Sequence, residues 1–127
     1  MRTQAALDEF TQHLTDVFRL FGSISLRRMF SGYGVFHDGI MFGLVSQETL
    51  YLKADTENSA DFRDQGLSQF EYVRQGKVIG LSYYQAPEIV LEDANEAALW
   101  ARRSFEAALR ADASKAKSVR SRHRHET

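Results

Sequence analysis

The apolar positions of the first twenty residues recur at spacings of three and four, which is typical of one stripe along an amphipathic helix. We predict a helix over residues 4–21, whose apolar side chains belong to Leu7, Phe10, Leu14, Val17, Phe18 and Phe21. Gly22 follows this stripe, at a position where a glycine can end a helix.

Four short runs of aromatic and aliphatic residues come next and predict strands. They occupy residues 24–30, 33–37, 40–45 and 50–54. Asp38-Gly39 separates two of the runs and favours a type I′ turn, because both central residues of that turn need positive φ. Gln47-Glu48 is a second connection. Together these signals predict a four-stranded antiparallel meander.

A short helix is expected after the meander, with Asn58 as its N-cap, Phe62 facing inward and Gly66 at its end. A second hairpin follows, with strands over residues 70–75 and 78–84 around Gly76-Lys77.

The last predicted elements are helical. Pro87 starts a helical turn, where its missing N–H has no cost. Asp93 and Glu96 have the spacing of a capping box, with Asp93 as the cap. The final helix is expected to end at about Ala111.

The pattern as a whole predicts an α+β fold in the order α-β4-α-β2-α, with an antiparallel sheet of about six strands and helices packed on one face. One domain is expected over residues 1–111. Residues 112–127 form a basic tail that lacks apolar residues to bury and is expected to be disordered. The first 111 residues carry 11 basic and 15 acidic side chains, whereas the tail carries 5 basic and 2 acidic ones. The net charge is therefore negative over the domain and positive over the tail.

The glycine-rich segment over residues 27–45 raises the question of a phosphate-binding loop. It has no Gly-Lys-Ser/Thr ending, and its glycines do not fit the spacing of a dinucleotide fingerprint before a helix. Sheet geometry explains them better: Gly39 is a turn residue, Gly32 and Gly34 can permit a bulge or let a neighbouring aromatic residue lie flat on the backbone, and Gly43 leaves space opposite a large side chain.

Both sides of the predicted sheet carry apolar residues, although a sheet with one wet face alternates cleanly. Met41, Val45, Tyr51 and Val78 are expected opposite the main core set. Two interpretations remain open: these are ordinary exposed apolar residues, or a second copy of the chain covers them in a homodimer.

The sequence contains no recognisable set of catalytic residues. The chain has no cysteine, which excludes disulfides, thiol catalysis and cysteine-ligated zinc. Its four histidines form no cluster with metal-ligand spacing, and Ser31 lacks a nucleophile elbow. We therefore expect no enzymatic activity, no metal and no cofactor.

Arg27 and Arg28 are adjacent in a predicted strand, so their side chains point to opposite faces. A buried arginine needs a partner. We expect one of the two to form a structural salt bridge at the rim of the core, and the other, beside Tyr33, to be available for contact with an anion or a partner.

Three segments resemble the N-terminal domain of the TfoX/Sxy family of competence regulators. They read RRMFSGYGVFHDGIMFGLVSQETLYLK, FEYVRQGKVIGLSYYQAPE and WARRSFEAA, and the similarity covers most of residues 10–110. The resemblance implies an α+β domain of the secretion-chaperone-like type. It also implies regulation of DNA-uptake genes together with a transcription factor, the cyclic-AMP receptor protein. It supplies no catalytic residue.

Three functions are compatible with these observations. The first is a regulatory adaptor that binds a protein partner through its sheet surface. The second is DNA binding, with phosphates neutralised by Lys115, Lys117, Arg120, Arg122 and Arg124. The third is a small-ligand or peptide-binding module. The partner-binding residues that we select are Arg27, Arg28, Tyr33, Tyr51, Lys53 and Tyr84. No run of about 18 apolar residues could span a membrane, and we expect a cytoplasmic protein.

Overall fold

A computed structural model describes residues 4–29 and 32–125, with side chains described over residues 9–29 and 32–116. Its elements are α1 (Gln4–Val17), β1 (Ser25–Met29), β2 (Gly32–His37), β3 (Ile40–Ser46), β4 (Thr49–Lys53), α2 (Ser59–Arg63), β5 (Gln69–Arg74), β6 (Lys77–Gln85), α3 (Ile89–Glu92) and α4 (Ala94–His125). The α+β class and the predicted order of elements are confirmed.

The described strands form one antiparallel sheet in the order β1-β2-β3-β4-β6-β5. The predicted meander is β1–β4, and β1 and β5 are the two edges. Asp38-Gly39 and Gln47-Glu48 both have positive φ, as two-residue hairpin turns require. The turn predicted at Gly76-Lys77 is wrong by one residue: Arg74 pairs with Lys77, so the turn residues are Gln75 and Gly76.

The hydrophobic core lies between the helices and one face of the sheet, which we call the helix face. Leu50 and Leu52 project from β4 into this core and are nearly inaccessible to solvent. The Phe62 ring contacts the Trp100 ring at 5.1 Å, which joins α2 to α4. Phe18 meets Phe42 edge-on at 5.6 Å, so the chain just after α1 is anchored on β3.

A β-bulge between β2 and β3 changes which residues share a face. Val35 pairs with Gly43 whereas Phe36 pairs with Met41, so Phe42 is an extra residue on β3. Simple alternation along β3 would place Phe42 and Leu44 on one face and Met41 and Val45 on the other, and the extra residue makes that expectation wrong. Val45 is buried in the core rather than opposite it, at 3% exposure. Leu44, expected beside Phe42, instead lies on the opposite face, which we call the second face.

Asn58 occupies the expected N-cap position of α2, but its side chain does not cap the helix. The Asn58 side chain makes no cap hydrogen bond; its Oδ1 accepts the Asp55 N–H at 2.7 Å and its amide donates to the Lys53 carbonyl oxygen at 3.1 Å. It therefore closes the loop after β4. The inward position of Phe62 is confirmed, since this ring is 1% exposed.

Two expectations about the long helix have different outcomes. The Asp93 cap is confirmed, because Asp93 Oδ1 accepts the N–H groups of Asn95 and Glu96 at 2.8 and 3.1 Å. The predicted end at Ala111 is wrong, because α4 continues to His125. The sequence beyond Ala111 is rich in alanine, lysine and arginine, which favour helix without needing burial. The division into a domain over residues 1–111 and a tail over residues 112–127 stays a prediction.

Candidate functional site

A cleft of about 430 Å³ lies on the second face of the sheet. One wall comes from β1–β3 and includes Met29, Met41 and Leu44, and the other comes from β5 and β6 and includes Phe70 and Tyr72. Because β4 separates these two groups of strands in the sheet, they can line one cavity only if the sheet curves toward its second face. The chain therefore builds a concave apolar site on the side without helices.

Gly34 forms part of the floor of this cleft. A Cβ there would lie 2.7 Å from Met29 Sδ, 2.8 Å from the Phe36 ring and 3.2 Å from Met41 Sδ. The bulge that was one expected reason for this glycine lies at Phe42 instead, and Gly34 makes room for the Phe36 ring and two methionine sulfurs. Thioether side chains over a flat floor can adopt several arrangements at little cost, so the cleft has an adaptable surface.

The β5–β6 hairpin carries the most exposed apolar pair of the described residues. Val73 and Val78 are direct cross-strand partners, with 70% and 65% exposure. Side chains alternate along a strand, so Tyr72 and Arg74 of β5 point to the other face and line the cleft. One hairpin thus presents an apolar valine pair on one side and a cleft wall on the other.

Three of the six residues selected from the sequence lie on the second face or at its border. Arg27 is opposite Gly34 in register, and its guanidinium lies 4.7 Å from the centre of the Phe36 ring. Tyr51 meets Phe70 edge-on at 5.0 Å. Lys53, at the end of β4, places its ammonium 5.1 Å from the Tyr83 ring centre.

The other three selected residues lie on the helix face. Arg28 pairs with Tyr33 across β1 and β2, and Tyr33 packs against the core while it also belongs to the lining of the cleft. The Tyr84 ring stacks on the Phe62 ring at 5.4 Å. The six residues therefore do not form one surface.

The expected structural salt bridge of Arg27 or Arg28 is not found among the described residues. Both side chains are exposed, and neither forms an ion pair with a described carboxylate. The expectation that one of them is buried at the rim of the core is wrong, because β1 is an edge strand whose residues lie beside solvent.

A polar contact of three short distances joins α4 to the loop after β4. Arg110 donates from Nε to Asp55 Oδ2 at 2.6 Å and from Nη2 to Asp55 Oδ1 at 3.0 Å, and Nε lies 2.6 Å from Glu57 Oε2. The hydrogen bond from Arg110 is the main reason that the Asp55 pKa is lowered, and the same bond raises the pKa of Arg110.

A smaller cavity of about 270 Å³ lies where Lys53 and Tyr83 approach Ala108 and Lys115 of α4. Burial lowers the pKa of Lys53, and the positive charge of Lys115 adds to that effect. Burial also raises the pKa of the Tyr83 hydroxyl. The lining also contains the carboxylate of Asp112, so the two ammonium groups are opposed by one negative charge.

His37 has a structural position. Its Nδ1 lies 2.6 Å from the Ser23 carbonyl oxygen, and its ring packs between Phe21 and Phe105 at 4.6 and 4.9 Å. Over the residues that the structure describes, no group of three or more acidic, histidine or cysteine side chains is arranged to hold a metal ion. No described helix is both long enough and apolar enough to cross a bilayer.

Sequence reasoning missed Arg74 and Arg110. Arg74 is the charged residue among the described cleft-lining side chains, and Arg110 joins α4 to the loop after β4. The alternation of β5 could have grouped Arg74 with Phe70 and Tyr72. Nothing local could have paired Arg110 with Asp55, because they are 55 residues apart.

These features define a single class of architecture: an α+β domain with an open antiparallel sheet, helices on one face and an apolar cleft on the other. The sequence model of the TfoX N-terminal domain matches residues 16–108, and the chain belongs to that family. It is also 31% identical over 68 residues to the DNA transformation protein TfoX1 of Aliivibrio fischeri (strain ATCC 700601 / ES114). That match covers 54% of this chain and 32% of the relative, so the chain spans about a third of that protein.

Proposed function

We propose that this chain is a regulatory adaptor in the control of competence-type genes, acting in the cytoplasm by binding a protein partner rather than by catalysis. Membership of the TfoX N-terminal domain family supports a role in this regulatory class. The relative in Aliivibrio fischeri bears the name of a DNA transformation protein, which supports a connection with DNA uptake.

The single observation that carries the proposal is the exposed valine pair on the β5–β6 hairpin. Val73 and Val78 are 70% and 65% exposed, and β5 is an edge strand whose outer backbone groups pair with no other strand of the described sheet. Contiguous exposed apolar residues and an open strand edge are both typical of surfaces that another chain covers. The resemblance to competence regulators makes the cyclic-AMP receptor protein the first partner to test.

The test is a binding titration between the purified chain and the cyclic-AMP receptor protein in the presence of cyclic AMP, after nuclease treatment. Replacement of both valines by threonine in V73T/V78T keeps shape and strand propensity but removes apolar surface. Burying a valine side chain contributes about 1.5–3 kcal/mol, so the double variant should bind at least roughly tenfold more weakly.

Leu99→Gln is the matched control, because Leu99 is an exposed apolar residue, with 39% exposure, on α4 rather than on the hairpin. Equal weakening by both variants, or none by V73T/V78T, contradicts the adaptor surface. DNA binding through the basic tail is distinguished by salt: phosphate contacts lose affinity steeply as the salt concentration rises, whereas an apolar protein contact does not.

A further inference from the structure

The cleft on the second face has the size and composition of a small-molecule site. Its volume of about 430 Å³ lies within the range of roughly 300–1,000 Å³ that is typical of such sites. Met41 and Leu44 on one wall face Phe70, Tyr72 and Leu81 on the other. A site with two opposed apolar walls encloses a ligand on both sides, which a flat docking surface does not.

The charge inside the cleft is of one sign. Arg74 is the one charged residue among the described side chains that line it, and no ion pair joins Arg74 to a described carboxylate. A guanidinium group has planar donors that match a carboxylate in bidentate geometry. An apolar cleft whose described lining includes one arginine, with no ion pair to a described carboxylate, is complementary to a molecule with an apolar body and one anionic head.

We propose that the cleft binds a small amphipathic carboxylate, whose apolar body lies between the two walls and whose carboxylate is held by Arg74. Nothing in the adaptor function requires this site. The valine pair lies on the opposite side of the same hairpin, so a ligand and a protein partner would occupy different surfaces.

The floor of the cleft suits an apolar body of variable shape. The three atoms nearest to a Cβ at Gly34 are all side-chain atoms, and two of them are the sulfurs of Met29 and Met41. Their flexible thioether chains can move aside when a ligand enters, at little cost to the backbone. The aromatic rings of Phe70 and Tyr72 provide the opposite, stiffer wall.

Calorimetric titration of the full chain with decanoate, at concentrations below micelle formation, tests the proposal. Decylamine has the same alkyl body with a cationic head and should bind at least tenfold more weakly than decanoate. Arg74→Gln should reduce decanoate affinity on the order of threefold to tenfold, the loss being limited because the side chain is exposed to solvent.

The matched control is Lys77→Gln. Lys77 is the direct cross-strand partner of Arg74 and carries the same charge, but it does not belong to the cleft lining. General attraction between a basic hairpin and an anion would make the two variants equal. Loss of affinity in Arg74→Gln with no loss in Lys77→Gln supports a specific head-group site. Equal effects overturn it, and so does equal binding of decanoate and decylamine.

A second measurement locates the ligand without relying on affinity. Methyl groups of methionine, labelled with carbon-13, should show saturable shifts on addition of decanoate at Met29 and Met41, assigned by single Met→Leu variants. Binding without these shifts would place the ligand elsewhere and overturn the proposal. V73T/V78T should bind decanoate like the unchanged chain, so failure of the adaptor proposal and failure of the ligand proposal give different results.

Discussion

Replacing Arg110 by glutamine should remove the clamp between α4 and the loop after β4. Arg110 makes two hydrogen bonds to Asp55, at 2.6 and 3.0 Å, and its Nε is 2.6 Å from a Glu57 oxygen. Glutamine keeps much of the aliphatic stem and the helix propensity, so the change is chiefly one of charge and donors.

The expected loss of stability depends on how far the Arg110 and Asp55 side chains are exposed to solvent. The side chains of Arg110 and Asp55 are 37% and 25% exposed, so water screens the pair in part. Fully exposed pairs contribute about 0.2–1 kcal/mol, and breaking a buried pair costs about 3–5 kcal/mol. We expect a loss of about 1–2 kcal/mol for Arg110→Gln, which lowers the melting temperature by roughly 4–8 °C in a domain of this size.

Thermal melts at neutral pH measure this loss, and Arg102→Gln is the control. Arg102 is an exposed arginine on the same helix with no ion pair to a described residue. Asp55→Asn alone and combined with Arg110→Gln completes a double-mutant cycle, in which the coupling energy should be about 1 kcal/mol or more. Losses that simply add would show that the two side chains do not stabilise each other.

The same pair predicts a pH dependence. The pKa of Asp55 in the folded state lies below its usual value of 3.8, mainly because Arg110 donates to the charged form. A lowered pKa adds stability that is fully present above the unfolded-state value and is lost as pH falls through the folded-state value. The difference between the unchanged chain and Arg110→Gln, measured by urea unfolding, should therefore shrink below about pH 4. A constant difference across this window would refute the reasoning.

Three further predictions follow from the sheet. Gly32→Ala should prevent β2 from pairing normally, because the new Cβ would overlap the carbonyl oxygen of the neighbouring strand; a loss above about 3 kcal/mol in urea unfolding is expected, and a loss below about 1 kcal/mol would contradict it. Arg27→Ala and Arg28→Ala should each cost less than about 1 kcal/mol in thermal melts, because both side chains are exposed; a large loss in either would reveal a partner. Light scattering at micromolar concentration should find the homodimer predicted from the apolar residues of the second face, Met41 and Tyr51 among them, in the unchanged chain and in V73T/V78T alike, because the valine pair lies on the other face of the hairpin; a monomer in the unchanged chain would end the homodimer hypothesis.

Local sequence signals were sufficient for most of the fold. The strands and the first two turns could be predicted because Asp38-Gly39 and the runs beside it determine φ and burial over a few residues. The cap at Asp93 was also local. Asn58 has the right residue type for a cap, but its side chain is held by Lys53 and Asp55, and this competing bond could not be read from residue type.

The end of α4 could not be predicted from burial alone. A tail without apolar residues cannot form a core of its own, and from this we expected disorder beyond Ala111. A helix that is already nucleated and capped at Asp93 can be extended by residues of high helix propensity without any burial. The expectation treated residues 112–127 as an isolated segment, whereas the structure has residues 112–125 as a continuation of α4.

The cleft was beyond local prediction because it depends on pairing between strands. Strict alternation along β3 would place Phe42 and Leu44 on one face and Met41 and Val45 on the other. The bulge at Phe42 exchanges Leu44 and Val45, so Val45 completes the core while Leu44 joins Met41 in the cleft. Only the pairing of Val35 with Gly43 and of Phe36 with Met41 reveals this exchange. The bulge therefore explains why apolar residues of β3 lie on both faces of the sheet: those on one face pack in the core, and those on the other line the cleft.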